Sequence, residues 1–191
     1  MPETDRVGDA RRILVYGVTG SGKTRLARTL GEILGIPATS VDDITWAPGW
    51  VQMGAEEQVA HFDSLTSGPV WLLDHAYLAW RDLARERADL VIALDYPRRT
   101  SLGRLLRRSA TRLVDHEEVC NGNHETLRRL LARDSIVVWH FRSFTRMRRE
   151  MRAWATAPSG TPVVLLRSPR DADAFLGRVR GEGSVAGRVT P

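Results

Sequence analysis

The chain has 191 residues, 42% hydrophobic and 27% charged, with a formal net charge of +5, which are the figures of an ordinary globular chain and exclude a disordered or fibrous one. A single Cys, Cys120, excludes an internal disulfide framework and a Cys-rich zinc site. No run of about 18 apolar residues offers a membrane span, and the mixed-charge start MPETDRVGDARR does not read as a signal peptide, so the expected setting is cytoplasmic, with no membrane partner.

Residues 12–18, RILVYGV, form a short apolar run before a Gly-rich turn and predict a buried strand. Over 23–34 the apolar positions Leu26, Ala27, Leu30, Ile33 and Leu34 recur at helical spacing, and Gly35 and Pro37 supply the stop. A second strand is expected over 38–44, a helix over 55–65 after the Pro48-Gly49 turn, and a third strand over 70–73. Residues 90–94, LVIAL, predict a fourth strand and 161–166, TPVVLL, a fifth. The final helix is expected over 171–180, and the small, polar residues 181–191 read as a flexible tail.

Apolar strands alternating with helices are the pattern of an α/β fold, a parallel sheet covered on both faces, here as one domain over 1–180. Between the fourth and fifth strands no sheet is expected; residues 99–112 and 125–154 read as helices joined by a polar loop at Cys120-Asn121-Gly122-Asn123. Residues 98–152 hold 14 Arg against 6 acids, a local balance of +8 that leaves the other 136 residues at −3. This segment, the core of an Arg-rich helical stretch over 98–155, calls for an anionic partner: a nucleotide, another phosphorylated molecule or a nucleic acid.

Gly17-Val18-Thr19-Gly20-Ser21-Gly22-Lys23-Thr24 fits G-x-x-x-x-G-K-[ST] between a predicted strand and a predicted helix, the context that identifies a P-loop. Glycines let successive amides converge on phosphate oxygens while the helix N-terminus adds partial positive charge. Lys23 then reaches the β- and γ-phosphates of ATP, and the Thr24 hydroxyl serves Mg²⁺. The motif also accounts for a composition anomaly: of 28 basic residues 27 are Arg, and Lys23 is the one Lys. A compact ammonium suits that position where a planar guanidinium does not.

Asp42 and Asp43 are expected at the C-terminal end of the second strand, the edge where open α/β sheets bind ligands. Either could instead cap a helix or begin a turn, a role that suits Asp43 better than Asp42. Asp74 closes the apolar run Trp71-Leu72-Leu73, a placement suited to holding Mg²⁺ or to accepting a proton from an attacking hydroxyl, with a turn residue as the alternative. Trp46 and Trp50 flank the rigid Pro48-Gly49 turn and read either as a clamp on a flat substrate or as core. Arg104, Arg107 and Arg108 leave one helix face and could close over a transferring phosphoryl group, or form a solvated face paired with acids. The histidines other than His75 show no metal spacing.

With the P-loop, Asp42-x-x-x-Trp46, Pro48-Gly49-Trp50 and Asp74 in this order, the chain resembles the adenylate-kinase-like P-loop kinases, most of all the DNA topology modulation or FlaR-type group. The resemblance runs from about Arg12 to Leu176 and includes Asp82-x-x-Arg85, the Arg-rich helix, Asn121-Gly122-Asn123 and the run from Leu166 to Arg170. It implies a five-stranded parallel sheet of order 2-3-1-4-5, an acceptor region between strands two and three involving Arg85, and an Arg-bearing lid after strand four. One departure is Asp74-His75-Ala76-Tyr77 where the group commonly has Asp-Gly-Asn-Tyr, and the bulkier His is expected to narrow the acceptor pocket.

The leading expectation is an ATP·Mg²⁺-dependent phosphotransferase acting on a small-molecule acceptor that the sequence does not identify. Asp42, Trp46, Trp50 and Arg85 would hold the acceptor, and Lys23, Asp74 and the lid arginines would serve catalysis. The alternatives are a regulatory or nucleic-acid-binding protein gripping phosphates through the basic segment, and a bare ATPase. Oligomeric state is not legible.

Overall fold

The computed structural model describes residues 5–115, 118–130, 132, 133 and 135–186. Five short apolar runs form one parallel sheet: β1 (Arg12–Gly17), β2 (Ala38–Thr39), β3 (Trp71–Leu73), β4 (Leu90–Leu94) and β5 (Val163–Leu166), in the order β2-β3-β1-β4-β5. The expected α/β class and strand order 2-3-1-4-5 are both observed. In the sheet centre Ile13 pairs with Leu72 and Leu90, and Leu14 with Leu73 and Val91.

The main helices are α1 (Lys23–Leu34), α2 (Ala55–Thr66), α3 (Arg81–Arg87), α4 (Arg98–Asp115), α5 (Ile136–Thr156) and α6 (Pro169–Ala186). Strand side chains alternate between faces. Ile13, Val15, Leu72, Leu90 and Ile92 join Leu26, Ala27 and Leu30 of α1 and Phe175 and Val179 of α6 in one core. Leu14, Tyr16, Leu73, Val91 and Ala93 join Phe144, Met147 and Met151 of α5, with Phe62 and Trp80, in the other. Truncating a fully buried residue such as Ile92 to Ala costs about 2–5 kcal/mol, the transfer free energy plus the cavity. Among the described residues no helix is long and apolar enough to cross a membrane.

Several boundaries differ from expectation. The second strand stops at Thr39, and Val41–Thr45 is a short helix. Asp42 and Asp43 fall in its first turn, where carboxylates favour the positive end, and Asp74 Oδ1 accepts the Val41 N–H at 3.0 Å, capping it from across the sheet. Both aspartates therefore sit on a helical turn rather than at a strand end. The helix expected over 125–154 is divided into Leu127–Leu130 and α5. Ser135 begins the second part, its Oγ accepting from Val138 N at 3.3 Å.

The stretch expected to lack sheet contains a small hairpin, Glu118–Val119 with Asn123–His124, turned by Cys120, Asn121 and Gly122 at φ 43, 65 and 79. A similar hairpin pairs Trp46–Ala47 with Val51–Gln52 around Pro48-Gly49. Helix α3, where no helix is expected, follows Trp80, and α6 continues to Ala186, past the expected end at Arg180. Glycines inside a helix cost only about 1 kcal/mol each and do not stop it. The remainder of the expected tail, 187–191, lies outside the described residues.

Candidate functional site

Residues 17–24 carry the chain from the end of β1 into α1, at the C-terminal edge of the sheet. Gly20 and Gly22 have φ of +80 and +96, a region costly for residues with a Cβ. A Cβ on Gly20 would also lie 2.3 Å from the Ser101 carbonyl oxygen of α4, so the loop and that helix meet backbone to backbone. The half-buried Lys23 donates from Nζ to the Val18 carbonyl at 3.3 Å. Burial pushes its ammonium pKa down, and Asp42 and Asp74 oppose the shift. The Ser21 hydroxyl is buried with no hydrogen-bond partner among the described residues.

Asp74 follows β3 and is 5% exposed. Its Oδ2 accepts from the Thr24 hydroxyl at 2.6 Å and its Oδ1 from Val41 N, so both oxygens are engaged. Burial raises its pKa, and these two hydrogen bonds restrain the rise. Asp42 is exposed, and its Oδ1 accepts from the Tyr77 hydroxyl at 2.6 Å. That hydroxyl accepts in turn from Trp46 Nε1 at 2.9 Å. Burial, then the Asp42 charge, drives the Tyr77 pKa up. His75 stacks on Tyr16 at 5.9 Å and meets Tyr77 edge-on at 4.9 Å. Burial, with Lys23 adding to it, pushes the His75 pKa down to about 3.

From α4, Arg104 reaches the loop: its Nη1 donates to the Ser21 carbonyl at 3.2 Å. Arg107 and Arg108 both keep surface open to solvent. The Arg108 guanidinium nonetheless feels desolvation by the surrounding protein first, with Asp42 among the opposing charges, and it acts on Lys23 as a like charge. The 118–124 hairpin docks on the segment that carries Asp42 and the tryptophans. Asn121 Nδ2 donates to the Asp43 and Trp46 carbonyls at 2.6 and 2.8 Å. Asn123 Nδ2 donates to the Ala47 carbonyl at 3.0 Å, and its Oδ1 accepts from Trp50 N at 2.7 Å. Trp50, at φ 61, meets Trp46 at 5.9 Å and lies 4.4 Å from the Arg129 guanidinium, beside a cavity of about 480 Å³.

The structure thus gathers Gly17, Thr19, Gly20, Ser21, Gly22, Lys23, Thr24, Asp74, Asp42, Trp46, Arg104 and Arg108 around one loop. Trp50 borders this group through Trp46 and the hairpin. Arg85 is not brought to it by its described contacts: its guanidinium stacks on Trp154 at 5.6 Å and lies 3.7 Å from Glu86. Sequence reasoning assigned no role to Tyr77, Asn121, Asn123 or His140, whose Nδ1 lies 3.1 Å from the Thr19 carbonyl. Asn121-Gly122-Asn123 announced a turn, and Tyr77 lies three residues beyond Asp74. His140 carried no signal, since its partner is 121 residues away.

No family model and no curated protein matches the sequence. Solved structures do match the fold. Shikimate kinase from Acinetobacter baumannii in complex with shikimate aligns with 98% of this chain and 99% of its own, at TM-score 0.53 and 15% identity. A sugar kinase from Janibacter sp. HTCC2649, unliganded, aligns with 95% of this chain and 98% of its own, at TM-score 0.52 and 20% identity. At these identities the likeness is one of fold.

Proposed function

We propose that the chain is a small-molecule kinase that transfers the γ-phosphoryl group of ATP·Mg²⁺ to a hydroxyl acceptor beside Asp42. The observation that carries this reading is that two carboxylates in different states, Asp42 and Asp74, both act on the charge of Lys23. Asp74 is sequestered by Thr24 and Val41, whereas Asp42 is exposed and bonded to Tyr77 alone among its described partners. The kinases of similar fold support a reaction of this class, and one of them is in complex with shikimate, a small hydroxylated molecule.

The residues fit the nucleotide. Gly20 and Gly22 adopt backbone angles that open a cradle, and the buried Ser21 hydroxyl has no described partner. Thr24 and Asp74 pair two hard oxygen donors, the ligand type Mg²⁺ prefers, and would hold it. Bound there, the ion would neutralise charge on the phosphates. Lys23 supplies a fixed cation at the same phosphates, and Arg104 and Arg108 close over them from α4. Asp42, with one oxygen held by Tyr77, keeps the other for the acceptor hydroxyl and takes its proton during attack. His75 and Tyr77 wall the acceptor side. In this reading the acceptor does not depend on Arg85.

Several arginines of the basic segment are engaged by the protein's own acids and rings. Arg148 and Arg152 bind the buried Asp95, Arg112 binds Glu125, and Arg98 stacks on Phe144. On its motifs we place the chain nearest the FlaR-type group, in the cytoplasm where ATP is supplied. The test is a screen of nucleoside monophosphates, nucleosides and small hydroxylated metabolites for acceptor-dependent ADP release. A strong rise with one acceptor class supports transfer. Hydrolysis indifferent to every acceptor, or absence of nucleotide binding, overturns it.

A further inference from the structure

We infer that His140 is a positioning residue of the phosphate loop: it fixes the Thr19–Gly20 peptide so that the Thr19 carbonyl faces α5 and the Gly20 amide faces the nucleotide phosphates. The inference rests on the reading of residues 17–24 as a phosphate cradle.

His140 lies in the second turn of α5 and is 0% exposed. Its ring is packed against Phe144 at 5.4 Å and Phe141 at 6.0 Å, and Arg98 lies 4.5 Å from the same Phe144 ring. Nδ1 meets the Thr19 carbonyl at 3.1 Å. A carbonyl can only accept, so Nδ1 must carry the hydrogen and Nε2 must be bare. Nε2 is buried with no hydrogen-bond partner among the described residues, which makes the ring a one-bond device aimed at the loop. Burial, with the charges of Arg98 and Lys23, lowers its pKa against the opposing pull of the Thr19 hydrogen bond, which keeps the ring neutral at neutral pH.

The consequence follows from peptide geometry. In a planar trans peptide the carbonyl and the following N–H point in opposite directions. Drawing the Thr19 carbonyl toward α5 therefore turns the Gly20 N–H the other way. Gly20, at φ +80, lacks the Cβ that would otherwise restrict this peptide, so the loop alone holds its orientation weakly. A flipped peptide would present a carbonyl dipole to phosphate oxygens in place of a donor. The hydrogen bond from α5 supplies the constraint that glycine leaves out. It also explains why an imidazole, rather than an apolar side chain, occupies a fully buried position facing two phenyl rings.

Two measurements on the full chain test this. The first is ¹⁵N NMR of the histidine ring at neutral pH, where the Nδ1–H tautomer is expected; the Nε2–H tautomer would overturn the inference. The second is MgADP affinity, measured by calorimetry beside thermal melts, for the wild type, His140→Phe and His140→Asn. His140→Phe removes the donor and should weaken MgADP binding about tenfold, the worth of one well-placed hydrogen bond. His140→Asn places an amide nitrogen where Nδ1 stands and should recover most of the loss, whatever its melting temperature. His140→Phe binding as tightly as wild type, or His140→Asn binding as weakly as His140→Phe, overturns the positioning role. If His140→Phe does not fold, the tautomer and His140→Asn against wild type decide. A wild type that does not bind MgADP sinks the phosphate-cradle reading and this inference with it.

Discussion

The Thr24 hydroxyl donates to Asp74 Oδ2 at 2.6 Å, joining the first turn of α1 to the end of β3 across 50 residues. Because Asp74 Oδ1 also holds Val41 N, one carboxylate links the glycine-rich loop and α1 to the helical turn that carries Asp42. Asp74→Asn keeps the shape of this link, since the amide can accept from Val41 and donate to Thr24, whose hydroxyl can rotate. The charge is lost. The expected outcome is a fall in kcat of about 100-fold with the ATP KM little changed, an effect sized like the loss of one preorganised electrostatic contact. Melting temperature should not fall, because burial of the carboxylate raises its pKa and the neutral amide avoids that cost. Steady-state kinetics and a thermal melt check both; a kcat near wild type would leave Asp74 a helix cap only.

Lys23→Ala should lower kcat by about 100- to 1,000-fold, a loss of about 3–4 kcal/mol of transition-state stabilisation. Lys23→Arg should fail as well. Nζ lies 3.3 Å from the Val18 carbonyl at the floor of the loop, and a planar fork cannot take the place of a compact ammonium there. Wild-type turnover in Lys23→Arg would remove the explanation of why a chain with 27 Arg keeps one Lys.

Asp42 and Tyr77 act as a pair, and two variants separate their parts. Asp42→Asn should cut acceptor-dependent kcat by about 100-fold or more, the range for removing a general base, while MgADP affinity stays within a few-fold. Tyr77→Phe keeps the Asp42 carboxylate but frees its oxygen from the 2.6 Å hydrogen bond, and on the proposed reading should act mainly on the acceptor KM. Equal effects of both variants on nucleotide affinity, with no effect on acceptor kinetics, would show that the pair is structural. This comparison becomes possible once the acceptor screen has supplied a substrate.

What the sequence made legible was whatever is written locally. Continuous apolar runs such as Leu90–Leu94 declared the sheet, and the glycines with Lys23 declared the loop, because both patterns are contiguous in the chain. The Asp42 turn was misread because its cap comes from Asp74, 33 residues away. Asn121 showed its turn chemistry but not its targets, the carbonyls of Asp43 and Trp46, at separations of 78 and 75 residues. Arg85 and Arg104 look alike as residue types on Arg-bearing helices. Only packing shows that Arg104 reaches Ser21 while Arg85 lies over Trp154.

The three arginines expected to form a lid, Arg104, Arg107 and Arg108, should not be equivalent. Arg104 bonds the loop backbone, and Arg108 shares the electrostatic field of Lys23 and Asp42. Arg107 is exposed, and none of the described contacts ties it to the loop. Arg104→Ala and Arg108→Ala are expected to lower kcat/KM by about tenfold or more, and Arg107→Ala by less than about threefold, in keeping with surface substitutions away from special features. A loss in Arg107→Ala as large as in Arg104→Ala would mean that α4 turns its 107 face inward when nucleotide and acceptor are both bound.

Acid sensitivity should report His75. Its pKa is about 3 in the fold against an ordinary value of 6.5, lowered first by burial and then by Lys23. Between these values the unfolded chain binds a proton that the folded chain refuses, so stability rises with pH across this window and is lost as pH falls through it. The contribution is constant above about pH 6.5, with a limiting slope of about 1.4 kcal/mol per pH unit below. His140, also lowered by burial, adds a slope of the same sign, so the test is a difference. In His75→Phe the stacking partner of Tyr16 keeps a ring but loses the titration. Urea unfolding at about pH 7 and about pH 5 should show His75→Phe gaining on wild type by up to about 2 kcal/mol at the lower pH. A stability difference that does not change with pH would mean that His75 is protonated as readily in the fold as in the unfolded chain. The neutral, ring-stacked wall assigned to the acceptor side would then be wrong.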